Sequence, residues 1–281
     1  MMKIQQSAIY LAGNKRKLLP QVLPHLIEKD RTVFVDVFGG SGVVSLNVNN
    51  TGHYHHMVYN EIDAHLFGLQ NYIKNNDNDF CILQYLNNQY GKSKEDFLSL
   101  RKSYNSKPDY DKLFLLMHRA NSNMIRFNGS GKFNMTWGDR SPFFLDRVRD
   151  HKKSLQSNIQ LRNDCFREVF EDMFKFKGLD KVVMYLDPPY MNTLASYNEK
   201  GGWTTKDNKD LLDYIGKAIG LGIKVVMSNV FQNRGKVHQQ LIDWCEDNKE
   251  LISVHHLDIS YNNSSFRKSD EVTDEVLIVS K

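Results

Sequence analysis

Residues 182–186, Val-Val-Met-Tyr-Leu, form an apolar, β-branched-rich run that stops abruptly at Asp187-Pro188-Pro189-Tyr190. A run of this length without alternation reads as a strand buried on both faces, as in a parallel sheet with helices on either side. The prolines forbid its continuation, because each ring fixes φ and lacks an N–H, and Pro188 biases Asp187 towards an extended backbone. The turn is therefore stiff and its carbonyls are left unpaired. A carboxylate, free carbonyls and an aromatic face then meet at the carboxyl end of a strand, where open α/β sheets bind ligands. A planar amine suits that arrangement: Asp187 and the Pro188 carbonyl accept the hydrogens of an exocyclic amino group while Tyr190 stacks on the ring. Taken alone, the same residues also read as an ordinary strand-to-loop exit, since Asp-Pro and Pro-Pro are common punctuation.

Earlier in the chain, residues 32–38 read as a buried strand running into Gly39-Gly40-Ser41-Gly42 and an apolar segment, 43–49. Strand, glycine turn and helix let a ligand approach the backbone and meet unpaired N–H groups. The pattern is Phe38-x-Gly40-x-Gly42, not the longer dinucleotide fingerprint, so a nicotinamide or flavin cofactor is not supported. A second strand, 56–60, ends in Glu61, somewhat beyond the spacing of about 20 residues at which α/β nucleoside sites place a ribose acceptor. Without Glu61 the glycines serve equally as a plain βα turn. Residues 17–28 read as a helix with Pro20 in its first turn. The sheet resumes at 159–161, 164–166 and the Asp187 strand, followed by a helix over 208–221, a strand over 223–229, a helix over 237–247 and late strands over 251–259 and 276–279. No internal repeat or low-complexity stretch is present.

Residues 64–158 break this alternation. Residues 64–75, 94–104 and 112–123 read as helices, and 122–140 as an aromatic-bearing hairpin turning at Asn128-Gly129-Ser130-Gly131. The expected fold is a doubly wound, Rossmann-like α/β domain (1–63 and 159–281) with a mostly helical insertion (64–158) carrying a β-hairpin. Charge follows this division. The net charge is +4, but residues 92–153 carry fourteen Lys/Arg against seven Asp/Glu, while the rest carries 23 against 26. Such asymmetry suits a polyanion partner, although a solvated surface without a partner has the same composition. On the hairpin, Arg126, Lys132 and Arg140 interleave with Asn and apolar side chains, a pattern suited to base edges in a major groove, or to a solvent-exposed hairpin without specific contacts. Cys81, Cys165 and Cys245 lack CxxC spacing and nearby histidine clusters, so neither zinc, another metal nor a disulfide framework is expected. The polar N-terminus and the absence of a long apolar run predict a reduced, cytoplasmic protein with no signal peptide or membrane anchor.

Tyr10 to Lys15, the Phe38-x-Gly40-x-Gly42 turn, Glu61, residues 122–140, Asp187-Pro188-Pro189-Tyr190 and Thr273-Asp274-Glu275-Val276 occur in an order that resembles the Dam-like, D12-class DNA adenine-N6 methyltransferases of bacteria and phages. The resemblance covers nearly the whole chain. Asp-Pro-Pro-Tyr alone is shared with cytosine-N4 and some ribosomal RNA guanine-N2 methyltransferases, so the order carries the specificity. It implies methyl transfer from S-adenosylmethionine to adenine N6 in duplex DNA, with S-adenosylhomocysteine as product and the base flipped out of the stack. By position it implies Asp187, Pro188 and Tyr190 around the base, and Tyr10, Lys15, Asp36, Phe38, Gly40, Gly42, Glu61, Phe166 and Asp187 around the cofactor. Lys15, Met124, Arg126, Asn128, Lys132, Arg140 and Tyr197 are implied on the DNA, with GATC as the target. Tyr197 and Trp203 either line or close the base pocket or are plain loop packing. One departure touches the target: many relatives have Phe-Asn-Val-Pro where this chain has Phe133-Asn134-Met135-Thr136. None of the three cysteines follows a proline, as cytosine-C5 methyltransferases require. The expected partner is double-stranded DNA, with nucleoid association when bound; no obligate protein partner is evident.

Overall fold

The computed structural model describes residues 4–11, 13–138, 144–155, 158–191, 202–233, 235–258 and 273–281. Its strands are β1 (Val33–Asp36), β2 (His56–Asn60), β3 (Ile159–Arg162), β4 (Val182–Leu186), β5 (Lys224–Asn233), β6 (Lys236–Val237), β7 (Ile252–His256) and β8 (Asp274–Ser280). They form one sheet in the order β3-β2-β1-β4-β5-β8-β7, with β6 paired to β5. From β3 to β5 neighbouring strands are parallel, whereas β8 runs against both β5 and β7. Strand order reverses between β1 and β4, so the chain leaves their carboxyl ends in opposite directions and opens a crevice there.

The helices are α1 (Leu19–Val22), α2 (Val43–Asn49), α3 (Ala64–Lys74), α4 (Cys81–Gln89), α5 (Lys94–Ser106), α6 (Tyr110–Arg119), α7 (Leu145–Ser154), α8 (Phe166–Phe174), α9 (Thr205–Gly220) and α10 (Gln239–Asp247). Alternate residues of each central strand supply two separate cores. Val33, Val35, Val182, Met184 and Leu186 face α8, α9 and α10, while Phe34, Val183 and Tyr185 face the other layer. Burial on both faces explains why these strands read as continuous apolar runs. The second layer holds α1 to α3 and α7, and its core continues without a break into Leu83 of α4, Phe97 and Leu100 of α5, and Leu113 to Met117 of α6. The helices of 64–158 thus share a core with the sheet. No helix among the described residues is long and apolar enough to cross a membrane.

Several local expectations change. The helix expected over 17–28 is broken into α1 flanked by 3-10 turns, because Pro24 opens a new turn instead of extending the first. No strand forms over 164–166; Phe166 is the first residue of α8, and Glu168 closes a capping box on Cys165. The helix expected to run to 123 stops at Arg119, because Ala120 is extended (φ −74°, ψ 152°), and Ser122 and Asn123 then adopt left-handed φ values of 57° and 54°. Beyond it the hairpin is a ribbon held by the isolated bridges Ala120↔Trp137 and Phe127↔Phe133 rather than by regular strands. α5 braces it from behind. Asn105 exchanges both amide bonds with the Phe133 backbone, at 2.8 and 3.1 Å, and Arg101 donates to the Met135 carbonyl at 3.0 Å. Burying Phe133 there contributes about 2–3 kcal/mol.

Candidate active site

The crevice between the ends of β1 and β4 is lined first by the turn after β1. Gly40 and Gly42 adopt φ of +53° and +77°. Gly39 is excluded from carrying a side chain for another reason: a Cβ there would lie 2.1 Å from the Tyr59 ring, whose hydroxyl donates to the Gly40 carbonyl at 2.7 Å. The turn is therefore pressed against β2, at whose tip Glu61 accepts the Gly40 N–H through Oε2 and the Asp63 N–H through Oε1, both at 2.8 Å. Burial pushes the Glu61 carboxyl up to about 7, and these two bonds oppose the rise.

Asp36 ends β1 and is 1% exposed. Its Oδ2 accepts the Ser45 hydroxyl at 2.6 Å, whereas Oδ1 has no partner among the described residues. Burial pushes this carboxyl up to about 7 as well; Ser45 opposes the rise, and the charges of Asp187 and Glu61 add to it. A buried carboxylate oxygen without a donor is uncommon, and it marks a place for a ligand hydrogen or cation. Ser45 was not singled out in the sequence. A lone hydroxyl inside the apolar run 43–48 was the available signal, because a buried hydroxyl needs a partner.

Phe38, Phe166 and Trp203 form an aromatic wall, with ring centroids 5.4–5.9 Å apart. Trp203 thus packs with the residues expected around the cofactor. Ile62 follows Glu61 with 58% of its surface exposed, and its carbonyl accepts from Asn163 in the loop that leads to Phe166. This apolar side chain at the rim was also missed in the sequence. The adjacent acidic residue pointed to its place.

At the end of β4, the Lys15 ammonium lies 2.9 Å from Asp187 Oδ1 and 4.8 Å from the centre of the Tyr190 ring, and the Tyr190 hydroxyl is 3.4 Å from the same carboxylate oxygen. Burial alone would lower the Lys15 ammonium, but Asp187, supported by Tyr185 and Glu275, holds it above its ordinary value. Burial also pushes the Asp187 carboxyl up, while Lys15 and Tyr190 pull it back. The first shift favours an ion pair and the second a neutral one. The short contact, and the 21% of the Asp187 side chain still open to water, decide for the ion pair. Pro188, the next residue, is buried.

Of the residues expected on the cofactor, the structure joins Asp36, Gly40, Gly42 and Glu61 around the first turn, Phe38 with Phe166 in the wall, and Lys15 with Asp187. Tyr10 stands edge-on to His118 at 4.9 Å, and its hydroxyl accepts from Arg147. Lys15, expected to face DNA as well, is buried. Met124, Arg126, Asn128 and Lys132 all lie on the ribbon, the first two half-buried and the others exposed. Arg126 Nε donates to Asn134 at 3.0 Å. The Asn128 side-chain carbonyl is occupied by the turn itself, accepting from the Ser130 N–H and hydroxyl and from the Lys132 N–H. Arg140 and Tyr197 lie outside the described residues.

A family model described as D12 class N6 adenine-specific DNA methyltransferase matches residues 11–258. The modification methylase StsI of Streptococcus sanguinis is 31% identical over 286 residues, covering 98% of this chain and 43% of its own length. The type II methyltransferase M.FokI of Planomicrobium okeanokoites is 27% identical over 283 residues, covering 97% and 42%. The modification methylase LlaI of Lactococcus lactis subsp. lactis is 29% identical over 264 residues, covering 87% and 40%. The chain therefore spans about two fifths of the length of these relatives.

Proposed function

The chain belongs to the D12 class of N6 adenine-specific DNA methyltransferases, and on that premise we propose that it methylates N6 of a flipped adenine in duplex DNA, within GATC, as the modification enzyme of a restriction-modification system. One observation carries the reading: a carboxylate kept ionised by a buried ammonium stands beside an aromatic face at the strand-order reversal. S-adenosylmethionine, when bound, supplies an electrophilic methyl group on a positively charged sulfur. The residues present fit such a molecule. Glu61 can take ribose hydroxyls, Phe38, Phe166 and Ile62 can flank a purine, and Asp36 offers an acceptor oxygen without a donor. The carboxyls of Asp36, Glu61 and Asp187 in one crevice favour a cation.

Asp187 Oδ and the Pro188 carbonyl accept the two N6 hydrogens, which draws the nitrogen lone pair out of conjugation and aims it at the methyl. Tyr190 replaces the stacking lost on flipping, which itself costs a few kcal/mol. Holding the two atoms in line supplies much of the remaining acceleration. The N6 proton leaves after the methyl arrives, so Asp187 orients and stabilises developing positive charge and is not required as a prior base. Lys15 keeps the carboxylate an acceptor. Transfer of labelled methyl into duplex DNA, followed by digestion to nucleosides, tests the chemistry: N6-methyladenine is expected, and N4-methylcytosine, or label entering RNA alone, would overturn it.

Cofactor affinity should depend on pH in a defined direction. In the free protein Asp36 and Glu61 hold protons up to about pH 7. A bound cation favours their ionised forms, so binding releases protons below that pH. Affinity is expected to fall by up to about tenfold per pH unit for each proton released below about pH 7, and to level off above it. The same raised values mean that the folded free protein binds protons the unfolded chain has already lost. On their own these two carboxyls lower stability as pH rises from about 4 through about 7, whereas the buried His118 and His151, whose imidazoles burial holds down to about 3, act in the opposite direction over most of the same range. Calorimetric titration across this range checks the first expectation, and a constant affinity would contradict it.

GATC reading is assigned to Met124 and Arg126 on the ribbon, with the segment 64–158 as the target-recognition unit. The Arg126 bond through Nε leaves its two Nη groups in the fork that reads guanine O6 and N7. Arg126→Ala is expected to cost about 1–3 kcal/mol at one base pair and to relax specificity there. Equal loss on every duplex sequence would show that Arg126 meets only the phosphate backbone.

A further inference from the structure

We infer that two buried histidines, His118 and His151, are positioning residues for the cofactor site, fastening the segment 7–10 to the helices that bracket the recognition ribbon. Both act on one residue. His118, near the end of α6, binds the Ala8 carbonyl through Nε2 at 3.1 Å, and His151, on α7, binds the Ala8 N–H through Nδ1 at 3.1 Å. The partners fix the tautomers. A carbonyl can only accept, so His118 Nε2 carries a proton; an N–H can only donate, so His151 Nδ1 is bare and its Nε2–H donates to Gln70 Oε1 at 2.8 Å. His118, His151, Gln70 and Ala8 are all 3% exposed or less. Core packing alone does not call for imidazoles at these places; two apolar side chains would fill the space but strand both backbone groups of Ala8.

From Ala8 the bonds run to the proposed cofactor site along two routes. The Ser7 hydroxyl donates to the Ser41 carbonyl at 2.6 Å, inside the glycine turn, and Gln70 presses on the same turn, where a Cβ on Gly42 would lie 2.5 Å from Nε2. Two residues after Ala8, Tyr10 is held edge-on by His118 and through its hydroxyl by Arg147 of α7. α6 ends at Arg119, just before the ribbon, and α7 begins at Leu145, just after it. At the same root the Asn123 side chain donates to the His118 carbonyl at 3.0 Å. The segment is thus a strap from the root of the recognition ribbon to the turn after β1, and the chain continues from it to Lys15 and hence to Asp187.

The inference rests on the proposed use of that turn and of Tyr10 for S-adenosylmethionine, and its test separates the two. Direct titration of S-adenosylhomocysteine into the wild-type protein comes first; failure to bind would sink the functional reading itself. If it binds, His118→Leu and His151→Leu are each expected to weaken it about tenfold or more, and to raise KM for S-adenosylmethionine while kcat at saturation stays within about threefold. His118→Gln and His151→Gln, whose amides can donate and accept at the same places, should recover most of the affinity. Wild-type affinity in the folded leucine variants would overturn the inference, as would no recovery with glutamine. Should the leucine variants fail to fold, Ser7→Ala decides. It removes the bond to Ser41, together with the bond the hydroxyl accepts from the Ile9 N–H at 3.0 Å and its 3.4 Å contact with His151 Nδ1, and is expected to weaken binding about fivefold, and an unchanged dissociation constant would overturn the strap.

Discussion

Replacing Asp187 with Ala is expected to lower kcat for DNA methylation by at least about 10³-fold while the dissociation constant for S-adenosylhomocysteine moves by less than about threefold. The carboxylate is a charged acceptor beside the Tyr190 face. Without it N6 keeps its lone pair in the ring and presents no nucleophile to the methyl. In the proposed site the cofactor is held mainly by other residues, Asp36, Glu61 and the aromatic wall, and the contacts of these are untouched. Asp187→Asn should be nearly as inactive, because an amide offers only one acceptor oxygen and turns a donor towards the amino group. The substitution also leaves Lys15 buried without its counter-charge, so a fall in the melting temperature is expected beside the loss of rate. A folded Asp187→Ala protein that keeps more than a few per cent of wild-type kcat would show that N6 is activated elsewhere.

Replacing Lys15 with Met is expected to lower kcat about 10²-fold near pH 7, and the loss should shrink as the pH is raised. Burial already pushes the Asp187 carboxyl up, and the ammonium 2.9 Å away is what opposes it. Without that charge the carboxyl holds its proton to higher pH, and a protonated carboxyl is a poorer acceptor for its N6 hydrogen and cannot stabilise the developing positive charge. The folded pKa of Asp187 is then raised further above its unfolded value. The acid limb of the kcat profile moves upward, and activity returns once the pH exceeds the new value. A merely structural role for Lys15 would lower the rate equally at all pH values. The profile of the variant between about pH 6 and pH 9 separates the two, and parallel profiles for variant and wild type would dismiss the electrostatic role.

Sequence and structure differ most where function depends on contacts between distant segments. The strands were legible because burial on both faces leaves no alternation; 56–60 and 182–186 were read with the bounds the structure shows. The glycine turn and Glu61 were legible as a pattern, yet the role of Gly39 was not, since it depends on Tyr59 arriving from the next strand. The start of α9 at Thr205 was placed three residues late, although Thr204 and Asp207 form a capping box, with bonds of 3.1 and 3.0 Å, that local sequence could have revealed. α4, α7 and α8 were not read at all. α7 is strongly polar along most of its length, and Phe166, with which α8 begins, has the aromatic character of a strand residue. Lys15 and Asp187 are 172 residues apart and no spacing rule joins them; each was singled out, but their pairing belongs to the fold. His118 and His151 carry no signal in the sequence at all, because their shared partner is the backbone of an alanine, which has no side-chain signature.

The most direct test is base-resolution mapping of methyl groups placed by the wild-type protein on a duplex library of random sequence. N6-methyladenine confined to one short motif is the predicted result, with GATC as that motif. Methyladenine confined to a different motif would keep the chemistry at Asp187 and overturn the assignment of Met124 and Arg126. Methylcytosine, or duplex DNA left unmodified in the presence of bound S-adenosylmethionine, would contradict the account.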